Sequence, residues 1–299
     1  MTEYALVADV GGTRTRVALV DATGGIVVRH STETLARQGR DAVMNRLADA
    51  LEHVASERRT EIKGVGLSLA SPVEPGTGVM YNPPNLGPEW HLFTPIPILR
   101  ERLSLPVYAE NDATLGALGE HAFGAGRGCD NMVYMTVSTG IGGGIIIDGN
   151  LYTGTNGFGA EIGHMTIDQN GPLDNCGNGP VAGERSVMIE FAGGDIAAVD
   201  ARIVVQAAHQ DDALAQSLMQ EVGRSLASGI ISLMHIFDPQ LIVIGGGLGQ
   251  NLDMFMPTIE PEVKRRAMAH FQGAVPVAKS QLGDDVSLLG AAALVFKEA

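Results

Sequence analysis

The chain has 299 residues and 31.3 kDa, with 45% apolar and 18% charged side chains. That is enough for a sizeable core in one large domain or two ordinary ones, and it excludes a disordered or fibrous protein. Lysine and arginine number 20 against 34 aspartates and glutamates, a formal charge of −14. A surface of that sign repels nucleic acid and anionic lipid, so neither is an expected partner. Any polyanion must be bound locally, by backbone N–H groups and a metal.

Two cysteines, Cys129 and Cys176, imply no disulfide framework and a reducing compartment. The amino-terminal stretch carries Glu3 and lacks the basic region of a signal peptide. The longest apolar region, Gly229 to Gly249, is broken by His235, Asp238, Pro239 and Gln240, so no membrane span is expected. The expected location is the cytoplasm. Thirty-nine glycines are roughly twice the usual share of about 7%, and their positions organise the chain.

Tyr4 to Val10 is an apolar run, followed by Gly11-Gly12 and the alternation Thr15, Val17, Leu19: strand, glycine turn, strand. A third strand is expected over Gly25 to His30. Asp41 to Arg59 reads as an amphipathic helix, with Val43, Leu47, Leu51 and Val54 on one face and Asp41 as its N-cap. Gly64 to Ala70 reads as a buried strand and Ser71 to Trp90 as a long loop. Val107 to Glu110 is a short strand ending at Asn111-Asp112, and Ala113 to Phe123 is helical, broken by Gly124 to Gly128.

Asn131 to Gly149 repeats the pattern of strand, glycine turn and strand. A helix over about Ala213 to Phe237 stops at Asp238-Pro239, because the residue before a proline disfavours helical backbone. A further apolar strand ends in Gly245-Gly246-Gly247, and helices are expected over Leu252 to Ala269 and Leu288 to Lys297. The repeat suggests a duplicated α/β architecture with a cleft between its halves. The expected domains are 1–115 and 116–287, with a terminal helix over about 288–299 packing back on the first.

Consecutive glycines either make a hairpin turn or let the backbone point several N–H donors at one anion. Asp9-Val-Gly-Gly-Thr13 and Ser138-Thr-Gly-Ile-Gly-Gly-Gly144 suit both uses. No G-x-x-x-x-G-K-[ST] occurs, which excludes a P-loop. No G-x-G-x-x-G opens a helix, so a dehydrogenase is not expected.

Five motifs stand in order: Asp9-Val-Gly-Gly-Thr13, Glu110-Asn-Asp112, Thr139-Gly-Ile-Gly-Gly-Gly144, Glu161-Ile-Gly-His164 and Asp238-Pro-Gln-Leu-Ile-Val-Ile-Gly-Gly-Gly247. Together, over nearly the whole chain, they resemble the ROK family of bacterial sugar kinases, within the actin/hexokinase/Hsp70 superfamily. The resemblance implies two duplicated actin-like (ribonuclease H-like) α/β domains and ATP-dependent phosphorylation of a glucose-like hexose at its 6-hydroxyl. The nearest rival is an N-acetylmannosamine or N-acetylglucosamine kinase. A rival of another class is a sugar-responsive repressor; those carry an extra N-terminal helix-turn-helix, whereas here the first strand begins at Tyr4.

In that family pattern Asp112 is the catalytic base and Asn111 binds sugar hydroxyls; read alone, Asn111-Asp112 is an N-cap. An aspartate of ordinary pKa, about 3.9, would already be ionised at neutral pH. Glu161, His164 and Glu184 match sugar-contacting positions. Asn85 lies in a loop resembling one that closes over the sugar, or in a proline-fixed turn. Asp9 would hold Mg²⁺ through water, with Gly11, Gly12 and Thr13 at the phosphates. Thr139, Gly140, Gly142 and Gly143 would clamp them from the other side, and Gly245, Gly246 and Gly247 would leave room for the nucleoside. With no lysine near either loop, metal and oriented amides would carry most charge stabilisation.

Many relatives hold a structural zinc with one His and three Cys. Here only Cys176 stands in that stretch, near Asp174 and His164. That is a poor ligand set, so no zinc is expected. Ser138 replaces a glycine usual before Thr139-Gly140, and Leu69-Ala-Ser-Pro72 replaces a common Gly-Pro pair. The resemblance also implies a homodimer.

Overall fold

Two five-stranded sheets carry the same strand order. The structure, a computed structural model, describes residues 2–56, 58, 61–83, 85–138, 140–167 and 199–299. In the first sheet β1 (Tyr4–Val10), β2 (Arg14–Asp21) and β3 (Ile26–Glu33) form an antiparallel meander. The strands β4 (Ile62–Leu69) and β5 (Val107–Asn111) then add in parallel, giving the order β3-β2-β1-β4-β5. The second sheet repeats this with β6 (Met132–Val137), β7 (Ile141–Ile147), β8 (Asn150–Leu151), β9 (Leu241–Gly245) and β10 (Val277–Lys279), in the order β10-β9-β6-β7-β8.

The helices among the described residues are α1 (Arg40–Ala55), α2 (Ile96–Leu103), α3 (Asp112–Phe123), α4 (Ala201–Ala208), α5 (Ala213–Phe237), the single turn α6 (Gly246–Gly249), α7 (Leu252–Arg266) and α8 (Val286–Glu298). None is long and apolar enough to cross a membrane.

Strand β1 is buried on both faces. Leu6 and Ala8 join α1, α2 and the buried Trp90 in one core, while Ala5 and Val7 meet α3 and α8 in another. The second sheet packs Val133, Ile242 and Ile244 against α5 and α7. Helix α3 lies between the sheets: Leu115 and Leu118 face the first with α8, and Ala117 meets Met132, Tyr134 and Val243 of the second. Where α3 crosses α8 the backbones nearly touch. A methyl group on Gly290 would collide with the carbonyl oxygen of Leu115, and one on Gly119 would stand 2.5 Å from that of Val286.

Several boundaries depart from the sequence pattern for local reasons. Gly39, at φ 87°, precedes α1 as its N-cap, so Asp41 sits in the first turn without capping, and the helix ends at Ala55. Strand β3 continues to Glu33 because it pairs with β2 as far as Arg14, although its own residues alternate in exposure at the sheet edge. Helix α2 was not expected; Pro97, in its first turn, suits a helix start rather than the loop it suggests by composition. Helix α7 runs through Pro257 and Pro261 because Leu252, Phe255, Ile259 and Val263 bury one face.

Candidate active site

Strand β5 ends where its backbone turns into α3, and the two residues at that corner divide the work. Asn111 has extended backbone and is the N-cap: its Oδ1 accepts the amides of Ala113 (2.9 Å) and Thr114 (3.1 Å). Its side-chain amide donates to the carbonyl of Ser71 at 3.0 Å. The capping use therefore exists alongside any contact with a ligand. Asp112 follows in the first helical turn, with Oδ1 accepting the Ala113 amide at 2.8 Å.

Asp112 is not an ordinary aspartate, contrary to the sequence-based expectation. Loss of hydration pushes its pKa up to about 6, helped by the charges of Asp9 and Glu161, against the backbone hydrogen bonds that hold the anion. One residue earlier, buried Glu110 is pushed up to about 7 by burial, its Oε1 accepting the Asn111 amide at 2.8 Å.

The corner opens into a cleft of about 590 Å³ between the sheets. It is lined by Asn85, Asn111, Asp112, Glu161 and His164 together with Gly140, Gly142, Gly143, Gly246 and Gly247. Glu161 precedes, and His164 ends, a one-turn 3-10 helix, Ile162–His164. Gly12 abuts the loop that carries Asn85: its added methyl would stand 2.7 Å from the Asn85 carbonyl oxygen, so the first glycine turn touches the cleft rim there. Gly11 is held by its amide on Arg14 O (3.1 Å) and by Thr34 Oγ1 on its own carbonyl (2.6 Å). The amide of Thr34 binds the Thr13 carbonyl at 2.9 Å.

The glycines of the second hairpin also serve packing. A side chain at Gly143 would meet Ile162 and the Tyr134 carbonyl, and one at Gly142 would press on Ala113. Gly245 ends β9 behind the Tyr134 ring rather than lining the cleft. Thr139, Glu184, Cys176 and Asp174 lie outside the described residues. Among the described residues no cluster of three or more His, Cys, Asp or Glu is arranged to hold a metal.

Asp9, the penultimate residue of β1, lies directly opposite Arg16 of β2. Its Oδ2 accepts Arg16 Nη2 (2.6 Å) and Nε (3.1 Å), and its Oδ1 accepts Ser68 Oγ (2.7 Å). A carboxylate offers about four acceptor positions; three are taken, which leaves one. That suits a hydrogen bond from a metal's water and does not suit direct chelation, so the donor set fits a hydrated Mg²⁺. Arg16 also supplies a cation that a search for lysines overlooks. Ser71, of the Leu69-Ala-Ser-Pro72 stretch, lines the cleft as well, as do Tyr134, Thr136 and Asp284; no sequence motif pointed to these last three, because the fold alone brings them there.

Twin sheets of this order around a shared cleft define a duplicated, actin-like α/β protein. The chain belongs to the ROK family, which it matches over residues 5–298. It is 33% identical to a glucokinase of Thermotoga maritima, covering 96% of this chain and 95% of that protein. It is also 33% identical to an N-acetylmannosamine kinase of Escherichia coli, over 98% of each. A xylose repressor of Bacillus subtilis is 28% identical, over 98% of this chain and 77% of the repressor. Among solved structures, a ROK family glucokinase from Streptomyces griseus in complex with glucose and AMPPNP superposes with a TM-score of 0.80 at 26% identity, covering 98% of this chain and 99% of that one.

Proposed function

We propose that the protein is an ATP-dependent hexose kinase that phosphorylates the 6-hydroxyl of a glucose-like sugar, releasing ADP. The observation that carries this is the placement of Asp112: a carboxylate lining one cleft together with Asn85, Glu161, His164 and the glycines of the β6–β7 hairpin. Glucokinase relatives and the glucose complex of a structural neighbour support the sugar and the donor.

Asp112 accepts the proton of the sugar hydroxyl as that oxygen attacks phosphorus, which requires hydrogen-bond reach of about 2.6–3.2 Å. Its pKa of about 6 leaves it ionised at neutral pH and makes it a stronger base than a surface aspartate. Asn85, Asn111, Glu161, His164 and Glu184 hold the ring. The hairpins at Gly11 to Thr13 and Thr139 to Gly143 would flank the phosphates, with the Gly11 amide, bound to Arg14 O, shaping its turn rather than donating to them, and Gly246-Gly247 would leave space for the nucleoside. Asp9 would hold Mg²⁺ through water, and the metal would supply positive charge to the phosphates when bound with the nucleotide.

The second reading, an N-acetylhexosamine kinase, is favoured by the equal identity to the Escherichia coli enzyme. A coupled ADP-release assay across glucose, mannose, fructose, N-acetylglucosamine and N-acetylmannosamine separates the two. ADP release with none of the five would overturn the kinase assignment and leave a sugar-responsive regulator. The resemblance also supports a homodimer, which sedimentation equilibrium tests.

A further inference from the structure

The polar network on Asp9 reaches beyond the cleft wall. The remaining nitrogen of Arg16, Nη1, donates to the carbonyl of Asp284 at 2.7 Å. Asp284 belongs to the turn between β10 and α8, where the chain leaves the second sheet and returns to the first. Arg29 of β3 grips the next residue, Asp285, with two hydrogen bonds of 2.9 and 2.7 Å. At the other end of this connector the hydroxyl of Ser280 (2.6 Å) and the amide of Leu282 (3.0 Å) bind the buried carboxylate of Glu120 on α3. Between the two anchors sits Gly283, at φ 55°, with open space where a side chain would be.

We propose that Arg16 is a positioning residue, orienting the Asp9 carboxylate for the metal end of the nucleotide and tying it to the Asp284 turn of the connector. This rests on the kinase activity proposed above. Arginine suits the task because its planar fork meets two acceptors in different directions at once, whereas lysine offers a single point charge. The charges near Asp9 make the need plain. Asp9 and Asp112 are close enough for their charges to repel, and without Arg16 the Asp9 carboxylate has only the Ser68 hydroxyl to hold its orientation.

The test is calorimetric titration of the full-length protein with ADP, with and without Mg²⁺, and separately with glucose. Wild type is compared with Arg16→Met and Arg16→Lys, and kcat is measured for each. Arg16→Met is expected to weaken Mg-ADP binding by about tenfold, the loss typical of a hydrogen-bonded charged partner. Metal-free ADP and glucose should change by less than about twofold. Arg16→Lys should recover most of the Mg-ADP affinity by restoring the ion pair, while kcat stays below wild type because the Asp284 carbonyl has lost its donor.

Equal weakening of ADP with and without metal would mean that Arg16 touches phosphate directly, and overturns the proposal. So does a matching loss of glucose affinity, or no change at all. If Arg16→Met does not fold, Arg16→Lys decides alone: wild-type kcat in that variant overturns the connector link. A wild-type protein that phosphorylates no sugar, yet shows the metal-specific loss in Arg16→Met, sinks the kinase assignment and keeps Arg16 in its role. Normal turnover with indifference to Arg16 does the reverse.

Discussion

The side-chain amide of Asn111 donates to the Ser71 carbonyl at 3.0 Å while its Oδ1 caps α3. One residue thus fixes the helix start and ties it to the segment Ser71-Pro72 that lines the cleft. Asn111→Ala is expected to lose about 1 kcal/mol of stability with the cap and to raise KM for sugar as that segment loosens. Asn111→Ser keeps a capping oxygen but has no amide to reach Ser71, so it should regain stability without regaining KM. Thermal unfolding and steady-state kinetics on both variants check this; an alanine variant as stable as wild type contradicts it.

The raised pKa of Asp112 sets an acid limb in the rate profile. The base must be ionised, so kcat/KM is expected to fall as pH drops, to half its plateau near pH 6. Asp112→Ala should lower kcat by roughly 10²–10⁴-fold while sugar still binds. A flat profile between pH 5 and 8, or near-normal turnover in the variant, refutes the base assignment.

Glu110 gives stability a pH dependence of its own. Its folded pKa of about 7 exceeds the ordinary 4.5, so between those values the folded protein holds a proton that the unfolded chain has released. The stabilisation is complete below pH 4.5 and is lost as pH rises through 7. Glu110→Gln keeps an acceptor for the Asn111 amide and removes the ionisation. At pH 8 it should exceed wild type by up to about 3 kcal/mol, and at pH 4.5 the two should match. Urea denaturation at both values decides, and a variant no more stable at pH 8 counts against it.

The crossing of α3 and α8 leaves no room for a methyl group at Gly290. Gly290→Ala is expected to cost about 1–3 kcal/mol through overpacking, read as a lowered denaturation midpoint. An unchanged midpoint would show that the helices separate freely.

Much of this was legible in the residues. Apolar runs ending in glycines marked β1, β6 and β9, and the Asn111-Asp112 corner showed itself as both cap and candidate base. What escaped lies in contacts distant along the chain. Arg16 alternates in β2 like any strand residue, and its meaning comes from facing Asp9 across the hairpin and Asp284 from the far end of the sequence. Tyr134 reads as a core aromatic until Gly245 and Gly116 are seen to make way for it. The glycines of β7 suggested a hairpin turn or ligand contact, yet helix α3 needs them too, a demand invisible before the helix is placed.

Because α3 lends opposite faces to both hydrophobic cores, neither half of the molecule is self-sufficient. Melting one strips the buried side of a helix on which its twin depends, and cooperativity spreads through that single element. A calorimetric scan should therefore show one endotherm, and two well-separated peaks would mean that the halves hold together without it.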